Sequence, residues 1–161
     1  KLSIEKKNNG ISWGAVYVQT FQDVSDIAAK SSGITVTREL LEDKDKSADV
    51  QGTTLHVGDK VKVRITLKAD RDYDFVEVVD KRAACLEPVA PLSGYQRSYY
   101  ITPKDNVTNY YFDRLSKGTH VIETEYYIDR EGNYQSGSCT AQCAYSPAYQ
   151  GRAASVSLIV K

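Results

Sequence analysis

Methionine is absent from the 161 residues, and Lys1 stands first. The sequence is therefore expected to be a fragment of a longer protein or a processed product, one domain over residues 1–161. No apolar run approaches the ~20 residues of a membrane-spanning helix, so membrane insertion is not expected. An excess of either charge is missing as well. Lys+Arg and Asp+Glu are both 21, a formal net charge of zero, which removes the attraction that nucleic acid or an anionic membrane requires.

Cysteine is too scarce for a disulfide framework. The three are Cys85, Cys139 and Cys143, an odd number that leaves at least one thiol without an internal partner. Cys139 and Cys143 would lie about 13 Å apart on a strand, beyond the reach of a bridge. Pairing of Cys85 with either one is left open. His56 and His120 stand alone, without a Cys, His or carboxylate at ligand spacing. They read as strand-edge residues, and no metal or cofactor is expected. There is no G-x-S-x-G elbow and no Gly-rich phosphate loop. The acidic run EDKDK is broken by lysines and lacks the sixth-position glycine of a calcium loop. The NVT triplet (Asn106–Thr108) matches a glycosylation sequon, a frequent chance match. No nucleophile, base or metal set converges, so the chain is not expected to be an enzyme.

What is abundant is β-strand chemistry. VKVRITL (Val61–Leu67) alternates strictly, with Val61, Val63, Ile65 and Leu67 on one face and Lys62, Arg64 and Thr66 on the other, a strand with one wet side. WGAVYVQTF (Trp13–Phe21) is a second such run. FVEVV, NYYF, HVIETEYYI and SVSLIV share the β-branched and aromatic bias. DREGNY (Asp129–Tyr134) reads as a hairpin turn and LSKGT (Leu115–Thr119) as another turn. DVSDIAAKSSG (Asp23–Gly33) has room for one helical turn before GITVTRELLE returns to strand. Leu41–Thr53 reads as a long charged connection. Many short strands at 8–12-residue spacing imply an all-β, antiparallel, immunoglobulin-like sandwich.

Tyrosine is frequent, with 12 residues. The doublets Tyr99-Tyr100, Tyr110-Tyr111 and Tyr126-Tyr127 place one ring on each face of a strand. The inward ring is core. The outward ring covers a face, or meets a neighbouring domain or a carbohydrate.

Four runs in order carry a resemblance: GISWGAVYVQTFQDVSDI, LHVGDKVKVRITLKADRDYDFVEVVDKRAACLEPV, SGYQRSYYITPKDNVTNYYFDRLSKGTHVIETEYYIDREGNY and AQCAYSPAYQGRAASVSLIV. Their most specific pieces are GDKVKV, D-x-R-A-x-x-x-E-P-V, TNYYFDRLSKGTH and AYSPAYQGR. From about Gly10 to Val160 the chain resembles the C-terminal macroglobulin-like domain of bacterial alpha-2-macroglobulins, especially the large Bacteroidetes forms. The resemblance implies an immunoglobulin-like sandwich within a large protease-trapping protein of the periplasm or outer envelope, lipid-anchored in some cases. It also implies that cleavage of a bait region triggers a conformational change, and that the final domain packs against a helical thioester domain and other macroglobulin domains. Proteases are then partners of the parent protein.

The family's thioester joins a cysteine to a glutamine three residues on. In AACLEPV the position three after Cys85 is Pro88, which has no amide to react, so no thioester is expected at Cys85. The segment corresponds to one that usually reads Gly-Phe-Glu-Pro-Val. Near CAYSPAYQGR the family often has Met-Tyr-x-Pro-Glu, and Cys143 and Ala148 replace its Met and Glu here. The residues expected to make interdomain contacts are Tyr95, Tyr99, Tyr145, Pro147, Tyr149 and Arg152. The competing expectation is a free-standing adhesion or carbohydrate-binding sandwich.

Overall fold

The computed structural model describes residues 2–42 and 54–161. The charged connection expected over Leu41–Thr53, with most of EDKDK, falls from position 43 onward outside the described residues. Among the described residues the only helical element is a 3-10 turn at Val24–Asp26, inside the stretch expected to hold one helical turn. The rest of the regular structure is strand. The first half contributes β1 (Lys30–Ser32), β2 (Ile34–Glu42), β3 (Thr54–Leu55), β4 (Lys60–Ala69), β5 (Tyr73–Lys81), β6 (Leu86–Pro88) and β7 (Gly94–Tyr95). The second contributes β8 (Tyr100–Pro103), β9 (Val107–Leu115), β10 (Gly118–Ile128), β11 (Gly132–Gln135), β12 (Cys139–Cys143), β13 (Gln150–Ala153) and β14 (Ser157–Val160).

Alternation sets the strands. In β4, Val61, Val63, Ile65 and Leu67 are all buried and the residues between them face out. β4 is paired along its length by β2 on one side and β10 on the other, both antiparallel. Across the same outer face Lys62 and Arg64 reach Glu123 at 3.3 and 2.8 Å.

The large sheet runs β6-β10-β4-β2-β1-β13-β12-β5-β9-β8-β7. β10 and β9 stand far apart in that order, yet Tyr110 and Thr124 hydroxyls meet at 2.7 Å and Thr108 and Tyr126 hydroxyls at 2.9 Å. The ladder therefore folds over on itself at the three-residue β1, and its two halves face each other as a sandwich. One core cluster draws from both halves, with Ile65, Leu67 and Ile122 from one and Val76, Val78 and Phe112 from the other. At the fold-over, Gly33 has φ +79°, and a Cβ there would collide with the Tyr73 hydroxyl. A Cβ at Gly151 would collide with the Ile34 carbonyl oxygen. The hinge needs glycine at both positions.

A buried ion pair ties the halves together. Arg38 of β2 donates to Asp80 of β5 at 2.7 Å, with side chains 4% and 1% exposed. The same guanidinium donates to the Ser136 hydroxyl at 2.5 Å, the Gly137 carbonyl at 2.7 Å and the Ala154 carbonyl at 3.1 Å. Complete burial pushes the Asp80 carboxyl up, and Arg38 opposes that shift.

Two expectations are corrected. Trp13–Phe21 is not a strand. Residues 2–26 are exposed throughout, Trp13 at 93%. Strand propensity expresses fit to a half-buried pleated surface, and this domain offers the segment neither a ladder partner nor a core face. The chain is first held at Val24, whose carbonyl accepts from Ser155, and at Ala28, whose carbonyl accepts from Arg152. DREGNY is not a hairpin turn, because β11 pairs with β14 rather than with β10. Gly132, at φ +142°, turns a corner from the large sheet into a three-stranded one, β11-β14-β3. In that small sheet β14 and β3 run parallel, a departure from the otherwise antiparallel ladder.

Arg38→Ala would leave a carboxylate buried without its partner. The expected loss is about 3–5 kcal/mol, read as a lower urea midpoint at unchanged slope. Arg38→Met combined with Asp80→Leu removes both charges and should recover most of it.

The core tyrosines set an alkaline limit. Burial pushes the Tyr126 phenol up to about 12 and the Tyr110 phenol well above its usual value. Unfolded tyrosine ionises near pH 10. Because the folded values are raised, this contribution to stability is complete below about pH 10 and is lost as pH climbs towards 12. Melting temperature measured from pH 8 to 11.5 should hold and then fall, with tyrosinate absorbance rising together with unfolding.

Candidate interdomain surface

Tyr145, Pro147 and Tyr149 come together on the loop joining β12 to β13. Two backbone turns shape it, with Ser146 N–H donating to Cys143 O at 3.3 Å and Tyr149 N–H to Ser146 O at 2.9 Å. β5 supplies the floor. Phe75 is the one non-glycine residue with positive φ among those described, at 55°. An aromatic residue in that region is strained. The loop holds it there: Ala144 N–H donates to the Phe75 carbonyl at 2.8 Å, and the Cys143 thiol to the Asp74 carbonyl at 3.2 Å.

The result is an exposed aromatic pair. The Phe75 and Tyr145 rings meet edge to face at 5.3 Å and 87°, with Tyr145 79% exposed. Beside them Tyr149 leans on Tyr73 at 5.3 Å and lies under the Arg71 guanidinium at 5.2 Å. The Tyr73 hydroxyl donates to Asp70 at 2.5 Å, and burial, reinforced by that bond, pushes its phenol up to about 12. Together these side chains line a cleft of about 420 Å³. Apolar rings in the open, edged by Arg71, Asp72 and Asp74, are the pattern of a contact patch.

The other expected contact residues lie elsewhere. Tyr99 is half-buried and packs inward on Tyr110 and Phe112 at 5.7 and 5.4 Å. Arg152 is half-buried and commits its guanidinium to the Ala28 carbonyl at 3.0 and 3.2 Å. Tyr95 is 82% exposed, but it sits at the β7 edge of the sheet against Tyr100. Phe75 and Arg71 were not among the expected contacts. The signal for Phe75 was available: Val76, Val78 and Asp80 set the inward phase of β5, and Phe75 is an aromatic residue out of phase with them.

Cys85 is fully buried in the turn where Leu86 N–H donates to Ala83 O at 3.1 Å. Burial pushes its thiol up to about 11, which keeps it protonated and unreactive at neutral pH. Pro88 lies in β6 opposite Tyr126. Cys139 and Cys143 are also buried, and all three thiols are free. Among the described residues no three His, Cys, Asp or Glu side chains are grouped as metal ligands, and no helix is long and apolar enough to cross a membrane.

The fold and the patch define a class: an all-β sandwich of the macroglobulin type. The chain belongs to the bacterial alpha-2-macroglobulin MG10 domain family, whose model matches residues 33–148. Among solved structures it is similar to Salmonella alpha-2-macroglobulin reacted with methylamine, at 21% identity and TM-score 0.72, over 84% of this chain and 10% of that one. It is similar also to native Escherichia coli alpha-2-macroglobulin from domain MG7 to the C-terminus, at 20% identity and TM-score 0.73, over 85% of this chain and 25% of that one. The native conformation of the Escherichia coli protein gives 21% identity and TM-score 0.73 over 85% of this chain and 10% of that one. This chain thus spans a tenth to a quarter of those molecules. Comparison with curated proteins finds no match.

Methylamine, which opens a thioester and frees its thiol, should add no mass to this chain. Thiol titration should register Cys85 only after unfolding. An adduct at Cys85, or a thiol released from the folded chain by methylamine, overturns the assignment.

Proposed function

We propose that this domain is a non-catalytic interaction module of an extracytoplasmic, protease-trapping protein. It packs against neighbouring domains and helps hold the state that precedes bait cleavage. One observation carries the reading. Residues 2–26 expose Ile11, Trp13, Val16, Tyr17, Val18 and Phe21 together, a strand-patterned apolar run that this sandwich leaves uncovered. Contiguous apolar surface of that kind marks an interaction site. The run also lies before the family-matched residues 33–148. Its alternation suits addition to the sheet edge of a neighbouring domain, where backbone pairing and alternate side chains are satisfied together. The Phe75–Tyr145 patch is the second contact, presented to the helical thioester-type domain.

The proposed setting is the periplasm or outer envelope. The proteases trapped are partners of the whole protein rather than of this domain.

The test is photocrosslinking in the parent protein, with a photoreactive phenylalanine at position 13, 17 or 145. All three positions should crosslink to other domains before protease treatment. The yield from position 145 should fall after cleavage if that contact belongs to the uncleaved state. Crosslinks confined to this domain at all three positions overturn the proposal.

A further inference from the structure

The outward face of the sandwich carries a row of side chains that interdomain packing at Phe75 and Tyr145 does not use. Reading straight across the ladder, Tyr95 of β7 opposes Tyr100 of β8, and Tyr100 opposes Tyr111 of β9. Tyr111 opposes Glu77 of β5, Glu77 opposes Gln142 of β12, and Gln142 opposes Gln150 of β13. Directly opposed residues share a face. Three tyrosines are thus followed by a carboxylate and two amides in one line. The tyrosines occupy successive strands, so they span about 10 Å.

These rings form a trough rather than a flat plate. Tyr95 and Tyr100 meet at 4.8 Å with their planes 65° apart. With Tyr111, Gln96, Arg97 and Asp113 they line a groove of about 370 Å³, within the usual range for small-ligand sites. Tyr111 is held in place, since the Asn109 side-chain amide donates to its hydroxyl at 2.9 Å. Asn109 is itself more than nine-tenths buried, and its Oδ1 is the one buried side-chain polar atom without a partner among the described residues.

The lining chooses among ligands. Arg97 and Asp113 are its only charged groups and cancel, so a phosphate or polyanion gains no net attraction. A purely apolar segment would bury both charges and the phenol hydroxyls without hydrogen bonds, which is unfavourable. A neutral polyhydroxylated ring system meets both requirements. Its C–H faces stack on the tyrosine rings, and its hydroxyls bond the phenols, Gln96, Arg97 and Asp113.

We propose that the Tyr95–Tyr100–Tyr111 groove is a binding site for a neutral oligosaccharide, with the chain lying across β7, β8 and β9. The site does not depend on interdomain docking, because it shares no lining residue with the Phe75–Tyr145 cleft.

The experiment titrates the 161-residue chain with neutral hexasaccharides of glucose, mannose, xylose and N-acetylglucosamine, and with an acidic uronic-acid oligomer, by calorimetry. At least one neutral oligomer should bind, with an affinity little changed between low and high salt because no net charge is neutralised. Tyr100→Ala and Tyr111→Ala should each weaken that binding about tenfold, the ratio set by 1.4 kcal/mol. Phe75→Ala and Tyr145→Ala should leave it unchanged. Tyr95→Ala, at an exposed position that cannot unfold the domain, should weaken it too. No binding by any neutral oligomer overturns the proposal. So does binding indifferent to Tyr95, Tyr100 and Tyr111, or a preference for the acidic oligomer.

Discussion

The Arg38–Asp80 pair is the constraint on which the rest of the sandwich depends. It joins β2 to β5, strands from opposite halves of the folded ladder. Through the same guanidinium it fixes Ser136 and Gly137 between β11 and β12 and Ala154 after β13. Ser136 in turn accepts from Val156 N–H at 2.9 Å, which orients the entry to β14. One buried cation therefore sets the relative position of the two facing halves and the small sheet. A charge pair is not the most stable filling for such a place; apolar residues of equal volume often do as well or better. Its value here is directional. Five fixed acceptors, the Lys81 carbonyl at 3.3 Å among them, define where each element must lie, whereas hydrophobic packing alone tolerates slippage.

A second cation works the same way nearby. Arg82 donates to Thr108 at 2.9 Å, to the Asp105 carbonyl at 2.8 Å, and lies over the Tyr126 ring at 5.6 Å. Thr108 meets Tyr126 in turn. Asp80 and Arg82 are the first and third residues of the D-x-R-A motif by which the sequence resembles its family. The motif thus encodes the seam between the two halves rather than a reactive centre. This is also the physical account of AACLEPV: its cysteine is a buried thiol in the turn after the seam, and its Glu-Pro-Val is the short edge strand that follows.

Legibility followed local pattern. β4 could be read residue by residue because one face is wet and the other core, and each tyrosine doublet divides as alternation requires: Tyr110 and Tyr126 inward, Tyr111 and Tyr127 outward. Three kinds of information were not local. Trp13–Phe21 has a strand's pattern, but whether it becomes a strand depends on a partner that the pattern cannot supply. The turn at Asp129–Tyr134 is visible in Gly132, yet whether it joins paired strands or turns a corner is decided by β14, at the other end of the chain. The candidate patch was half legible. AYSPAY announces an exposed aromatic loop, but Phe75 reaches it only because the loop's own hydrogen bonds hold β5 in a strained conformation.

That strain bears on the proposed docking role. A phenylalanine at positive φ costs on the order of 1–3 kcal/mol, and half of the ring it displays remains in water, so burial within the isolated domain offsets little of the cost. The uncovered run from Ile11 to Phe21 poses the same imbalance. Both features lower the stability or solubility of the domain alone and are recovered only when another surface covers them. If docking covers them in the uncleaved protein, separation of the domains re-exposes both, so the domain opposes the change until bait cleavage provides a larger driving force. The tyrosine groove differs in kind. Its rings contact one another, its charges cancel, and it carries no strain, so it is complete without a covering domain and free to accept a small ligand in either state.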